Sequence, residues 1–119
     1  MADAPKPIRT LFCFGVLPPF YDLDADGRKA VFDKLVEAYD DLAGRFGMTV
    51  LGTMDDDRAV VGPSLGWPWT CYILADVPDH DTVYRFCNIL REFEVGGDRI
   101  WRYMKVEARP GRELFFGTR

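Results

Sequence analysis

The sequence predicts an α+β fold in which four strands and two helices follow one another in the order β-α-β-β-α-β. Four short segments rich in β-branched and aromatic residues predict the strands. Two stretches in which apolar residues recur at helical spacing predict the helices. The chain has 119 residues, which is a usual size for one domain built around one core.

The first half of the chain is predicted to contain one strand and one long helix. Residues 8–17 favour a strand, and the two prolines that follow would end it. Between residues 25 and 46 the apolar residues recur at spacings of three, four and seven, which predicts a single amphipathic helix of about 33 Å. Asp24 is suited to cap the start of this helix, and Gly47 is suited to end it.

The second half is predicted to contain three strands and one helix. The strands are expected at residues 48–54, 69–77 and 100–108. Residues 59–62 would form a short return strand or continue the second strand, and residues 55–57, three aspartates, would form a solvated turn. The second helix would be capped by Asp79 or Asp81.

This order of elements is that of a ferredoxin-like fold, a four-stranded antiparallel sheet with two helices on one face. We expect one such domain over residues 8–110. Residues 1–7 would be a flexible arm, and residues 111–119 a C-terminal tail that packs on a dimer partner.

The predicted strands carry apolar side chains on both faces. The third strand offers Cys71 and Ile73 on one face, and Tyr72 and Leu74 on the other. A sheet with helices on one face only would normally be polar on its second face. We therefore expect a second copy to cover that face in a C2 homodimer, the arrangement of a dimeric α/β barrel.

The charge and the cysteines restrict the partners and the compartment. A net charge of −4 argues against nucleic acid and against an anionic membrane surface. No stretch approaches the roughly 20 apolar residues that span a bilayer, and the N-terminal residues do not resemble a secretory leader. Three scattered cysteines suit a reducing compartment, so we expect a cytoplasmic protein. Cations crowd the last fifth of the chain, where we expect solvation: Arg99, Arg102, Lys105, Arg109, Arg112 and Arg119.

Standard cofactor and metal motifs are missing from the sequence. It has neither a dinucleotide-binding glycine pattern nor a phosphate-binding loop, and a single histidine with scattered cysteines does not suit zinc. We predict no cofactor and no metal. Any catalysis would therefore depend on general acids and bases, or on positioning of a reactive substrate.

Aromatic residues around the third and fourth strands are the candidate ligand-binding group. This group could wall a cleft that stacks on an indole ring, and it consists of Trp67, Trp69, Tyr72, Trp101 and Tyr103. Alternatively, they belong to the core and the dimer interface. The peptide bond between Trp67 and Pro68 is a candidate for the cis form, which would fix the angle of Trp69.

Arg102 is the candidate anchor for a ligand carboxylate. It shares a predicted strand face with apolar residues, so its guanidinium needs a partner. That partner would be a ligand carboxylate or an internal group, such as Asp76 or a neighbour of Glu107 across the sheet.

Three further residues are candidates for proton transfer. His80 stands at the expected start of the second helix, where it could shuttle protons or ligate haem. Tyr21 and Asp22 follow the first strand and could form the lip of a pocket. The alternative roles are exposure in a first helical turn for His80, and turn formation and helix capping for the acidic residues.

Several strings in the chain carry a resemblance to a known family. They are LFCFGV, LGTMDDD, VGPSLGWPWTCYILAD, CNILR and WRYMKVEARPGRELFFG. From about residue 9 to residue 117, the chain resembles the IacB-type small proteins encoded in bacterial indole-3-acetic acid catabolic clusters. The resemblance implies a place in the catabolism of indole or other aromatic acids, and it carries no catalytic residues with it.

The leading hypothesis is a cytoplasmic homodimer that binds a small aromatic acid. It would act on this ligand as a cofactor-independent lyase, isomerase or dehydratase of aromatic catabolism. Two hypotheses of other classes stay open. One is a non-catalytic accessory subunit of an oxygenase, and the other is a haem- or flavin-dependent oxygenase of the same fold.

Overall fold

A computed structural model describes residues 6–63 and 66–117 of the chain. The strands are β1 (Ile8–Val16), β2 (Thr49–Asp55), β3 (Cys71–Val77), β4 (Glu94–Val95), β5 (Asp98–Arg99) and β6 (Met104–Gly111). The helices are α1 (Pro18–Tyr21), α2 (Ala25–Ala38), α3 (Leu42–Phe46) and α4 (His80–Glu92), with a 3-10 helix at Ile100–Arg102. Residues 1–5 of the predicted arm and residues 118–119 of the predicted tail lie outside the described residues.

Four strands form one antiparallel sheet in the order β2-β3-β1-β6. The predicted α+β class is therefore confirmed, and the strand order is consistent with the ferredoxin-like class. The short strands β4 and β5 pair separately as a two-stranded ribbon. Across the described part of the chain, no helix combines the length and the apolar character needed to cross a bilayer.

The core lies between the sheet and helices α2 and α4. Phe12 of β1 packs on Phe86 of α4 with their ring centroids 3.9 Å apart, and both side chains are fully buried. On β3, Cys71, Ile73 and Ala75 pack into the same core. The predicted alternation of side chains along this strand is therefore confirmed.

The prediction of a single helix over residues 25–46 is wrong, because the chain breaks between α2 and α3. Asp41 takes a left-handed backbone conformation with φ at 50°, and its side chain accepts a hydrogen bond from the Gly44 N–H at 3.1 Å. Arg45 donates to the carbonyl of Ala38 at 2.7 Å, which satisfies a carbonyl at the end of α2. One apolar stripe thus runs through two helices. A regular spacing of apolar residues does not show where the backbone changes direction.

The capping roles predicted for Asp24, Asp79 and Gly47 are confirmed, although Gly47 ends α3 and not the helix that Asp24 begins. Asp24 caps α2 by accepting from the Gly27 N–H at 2.7 Å. Asp79, one of the two predicted caps, accepts from the Thr82 N–H at 2.8 Å. Gly47 ends α3 with φ at 66°, a conformation that costs glycine little.

The predicted start of the last strand is wrong. Ile100–Arg102 form a 3-10 helix, and β6 begins only at Met104. The Ile100 N–H donates to the Phe93 carbonyl at 3.0 Å, which holds this segment beside the ribbon that precedes it rather than in the sheet. Arg102 therefore does not share a strand face with Met104.

The segment before β3 also differs from the prediction. The strand begins at Cys71 rather than at residue 69, and residues 59–62 belong to no strand. The peptide bond between Trp67 and Pro68 is trans, so the cis expectation is wrong.

Tyr39, at the end of α2, carries a buried hydroxyl group. Its ring lies 5.4 Å from that of Phe14 and 5.0 Å from that of Phe86. Among the described residues the hydroxyl has no hydrogen-bond partner, and desolvation raises the pKa of Tyr39 above its usual value. The side chain thus combines favourable ring packing with an uncompensated polar atom.

We expect Tyr39→Phe to stabilise the protein by about 1 kcal/mol, because it removes the unpaired hydroxyl and keeps the ring. Chemical denaturation of both proteins would measure the change in the free energy of unfolding. Tyr84→Phe is the matched control, since Tyr84 lies on the exposed side of α4 and should show no change. A loss of stability in Tyr39→Phe would show that the hydroxyl has a partner.

Candidate functional site

The face of the sheet opposite α2 and α4, which we call the free face, carries the candidate site. Tyr72 and Leu74 of β3 point to this face, since their neighbours Cys71 and Ile73 point to the core. In the antiparallel register Tyr72 lies beside Cys13 of β1, and Leu74 lies beside Leu11.

The connection between β2 and β3 folds over this face. We call it the tryptophan loop, residues 56–63 and 66–70 of the described chain. Its two ends meet where the Asp56 N–H donates to the Thr70 carbonyl at 2.9 Å. The Thr70 N–H donates in turn to the Phe14 carbonyl of β1 at 2.8 Å. The returning half of the loop is therefore fixed to the centre of the sheet.

A chain of hydrogen bonds joins the loop to β3. The indole N–H of Trp67 donates to the Tyr72 hydroxyl at 2.6 Å, and that hydroxyl donates to the Asp56 carboxylate at 2.9 Å. Desolvation is the largest cause that raises the pKa of Tyr72, and the hydrogen bond to Asp56 raises it further. Tyr72 therefore keeps its proton at neutral pH and donates it in the hydrogen bond to Asp56.

Cationic side chains pack on the two tryptophans. The Arg109 guanidinium lies 5.1 Å from the centre of the Trp67 ring, and the Lys105 ammonium lies 5.0 Å from that of Trp69. Both distances fall in the range of cation–π attraction. Glu107, between these two cations on β6, accepts hydrogen bonds from Arg109 and holds its guanidinium in place.

The tryptophan loop and the free face border a cavity of about 750 Å³ that is open to solvent. This volume is in the range of small-molecule sites. The wall is mainly apolar and aromatic, and its polar side chains include Asp56, Thr53 and the Tyr72 hydroxyl. The lining residues are Leu11, Gly52, Thr53, Met54, Asp56, Ala59, Val60, Val61, Pro63, Trp67, Trp69, Tyr72 and Leu74.

Three of the predicted ligand-binding residues come together at this cavity: Trp67, Trp69 and Tyr72. Trp101, Arg102 and Tyr103 do not line it. All three lie at the 3-10 turn, where the Asp98 carboxylate is 3.7 Å from the Arg102 guanidinium and 3.3 Å from the Tyr103 hydroxyl. The partner of Arg102 is thus internal, as one alternative expected, but it is Asp98 rather than Asp76, which is bound by Arg9.

The predicted proton-transfer residues also lie away from the cavity lining. His80 is the exposed first residue of α4. Tyr21 is two-thirds exposed at the end of α1, with its ring against Phe20, and Asp22 follows it in an exposed turn. The structure thus does not bring these residues to the tryptophans.

Sequence reasoning missed Asp56 and Arg109. Asp56 was expected in a solvated turn, and Arg109 among solvated cations. Asp56 directly follows β2, at the first position of the loop that leads to the neighbouring strand β3. This position next to β3 is the feature of the sequence from which a role for Asp56 could have been predicted. The contact of Arg109 with Trp67 could not be predicted in this way, because it depends on how the loop folds over the sheet.

The described residues contain no group of three or more metal-binding side chains placed to hold an ion. Comparisons of the chain with models of protein families, with curated proteins and with solved structures found no match. The function must therefore be inferred from the residues of the site itself.

Proposed function

We propose that the chain binds a small planar aromatic acid in the cavity between the tryptophan loop and the free face. The observation that carries the proposal is the hydrogen-bonded series of Trp67, Tyr72 and Asp56 in the wall of an otherwise apolar cavity. Aromatic side chains fixed by hydrogen bonds make a rigid wall, on which a flat ring can pack without ordering the protein further.

The polar groups of the site support a catalytic role for the same cavity. Tyr72 can donate a proton and Asp56 can accept one, and they are hydrogen-bonded to each other at 2.9 Å. Cofactor-independent lyases, isomerases and dehydratases require such proton transfers. We infer that Tyr72 and Asp56 move the protons in this protein, a role that the sequence pattern suggested for His80 and Tyr21.

The biological setting follows from the resemblance to IacB-type proteins, which favours indole-3-acetate as the first ligand to test. In this proposal the protein is cytoplasmic and its full topology is that of a ferredoxin-like dimeric α/β barrel. A second copy would close the cavity over its exposed rim. Val61 at this rim is 95% exposed, and Trp67 in the wall is 46% exposed.

The decisive test is calorimetric titration of the purified protein with indole-3-acetate. We expect saturable binding, and we expect Trp67→Ala to weaken it by about tenfold, because one wall of the ring site is lost. Trp101→Ala is the matched control. Trp101 is half exposed and packs on Arg91, away from the cavity, so its removal should leave the affinity unchanged.

Two outcomes would contradict the proposal: no binding by the wild-type protein, or equal weakening in both tryptophan variants. Nuclear magnetic resonance spectra of the ligand in the same samples would show whether it is converted.

A non-catalytic accessory role is the second candidate, and the C-terminal segment supports it. Leu114, Phe115 and Phe116 are all exposed, with Phe115 at 93%. Exposed apolar side chains in series are typical of surfaces that bind another protein. If this candidate holds, the chain binds no indole-3-acetate and changes the activity of a purified oxygenase when added to it.

A further inference from the structure

We propose that an arginine-lined groove beside the aromatic cavity binds the carboxylate of the ligand, and that Arg109 is the residue that holds it. This inference rests on the proposed function, because it assigns a place to the acid group of the same ligand. Arg109 would then be the residue by which the protein distinguishes an aromatic acid from a neutral aromatic compound.

The groove and the cavity share one floor. The groove has a volume of about 390 Å³, and Leu11 and Leu74 line both it and the cavity. These two side chains are direct neighbours in the register of β1 and β3. A ligand with its ring against the tryptophan loop could therefore extend over this floor into the groove without crossing a polar barrier.

The groove is lined by arginines. Arg9, Arg109 and Arg112 line it together with one acidic residue, Glu113. Two of these arginines are paired with carboxylates outside the lining, Arg9 with Asp76 and Arg109 with Glu107. The remaining lining residues are Leu11, Leu74, Gly111, Leu114, Phe116 and Gly117. An arginine fork binds a carboxylate through two parallel hydrogen bonds, so an anion of this type suits the groove.

Arg109 is the arginine that adjoins both the cavity and the groove. It lies beside Leu11 in the register of β1 and β6, and its guanidinium packs on Trp67 of the cavity wall. Its partner Glu107 lies on the same strand, and both side chains are nearly half exposed. Exposed ion pairs contribute little to stability, so a ligand carboxylate can replace Glu107 as the partner.

Arg9 is less suited to this exchange. It donates two hydrogen bonds to Asp76 on the neighbouring strand, at 2.9 and 3.1 Å. The hydrogen bond from Arg9 is the main cause that lowers the pKa of Asp76 below its usual value. Arg9 binds both oxygens of Asp76, whose side chain is 20% exposed, whereas Arg109 contacts one oxygen of Glu107, whose side chain is 44% exposed. The pair of Arg109 is therefore the more accessible of the two to a ligand carboxylate.

The test compares indole-3-acetate with its neutral amide, indole-3-acetamide, by calorimetry. We expect the wild-type protein to bind the acid at least about tenfold more tightly than the amide, since a charged hydrogen-bond pair is lost in the amide. In Arg109→Gln the ratio of the two affinities should fall to about one, because only the acid loses a charged partner, whereas both compounds lose the packing of Arg109 on Trp67. Arg102→Gln is the matched control, because Arg102 pairs with Asp98 and lines neither compartment.

Thermal unfolding of the variants would verify that they remain folded. If the wild-type protein binds acid and amide equally, or if Arg109→Gln keeps the preference for the acid, the inference is overturned while the proposed aromatic site stands. If neither compound binds, the proposed function fails and the inference fails with it.

Discussion

Phe86→Ala is expected to lower the free energy of unfolding by about 3–5 kcal/mol. Phe86 is fully buried in α4, and its ring contacts those of Phe12, Phe14 and Tyr39. Its removal leaves a cavity at the point where the helix layer meets the central strand. Because the surrounding rings are themselves fixed by their neighbours, this space cannot be refilled cheaply.

Equilibrium denaturation followed by circular dichroism would measure the loss. Tyr84→Ala is the matched control, since Tyr84 is on the same helix and 69% exposed. It should change the free energy of unfolding by less than about 0.5 kcal/mol. A comparable loss in both variants would mean that α4 does not bury the face that the structure assigns to it.

The apolar pattern around Phe86 explains why the class of fold could be predicted from the sequence. The alternation along β3 and the capping residues Asp24 and Asp79 are local signals, and each is confirmed in the structure. The break at Asp41 could not be predicted, because the apolar stripe passes through it without a gap. Asp41 has a left-handed backbone conformation and caps α3, and neither property changes the spacing of the apolar residues.

The candidate site was predictable only in part. Trp67, Trp69 and Tyr72 are close in sequence to the start of one strand, so their grouping follows from local position. Arg102 was predicted from a strand face, and that face does not exist because the chain forms a 3-10 turn there. The contacts of Asp56 and Arg109 with the aromatic wall depend on the path of a long loop. Sequence periodicity contains no information on that path.

Gly15→Ala is expected to displace the tryptophan loop from the sheet. A Cβ atom on Gly15 of β1 would lie 2.6 Å from the Pro68 carbonyl oxygen and 2.8 Å from the Lys105 Cε. Lys105 can move aside because the contact is with the end of a flexible side chain. The Pro68 carbonyl is backbone, and the loop next to it is fixed where the Thr70 N–H donates to the Phe14 carbonyl at 2.8 Å.

Relieving this contact requires the loop to lift from the sheet, so we expect a loss of about 1–3 kcal/mol in the free energy of unfolding. Lifting the loop would also separate Trp67 from Tyr72, so indole-3-acetate should bind more weakly to the variant. Denaturation and calorimetry measure the two effects. Gly52→Ala is the control for stability, since a Cβ there would meet nothing within 4 Å. If Gly15→Ala lost neither stability nor affinity, the tryptophan loop could not lie against β1, and the cavity it encloses would not exist in this form.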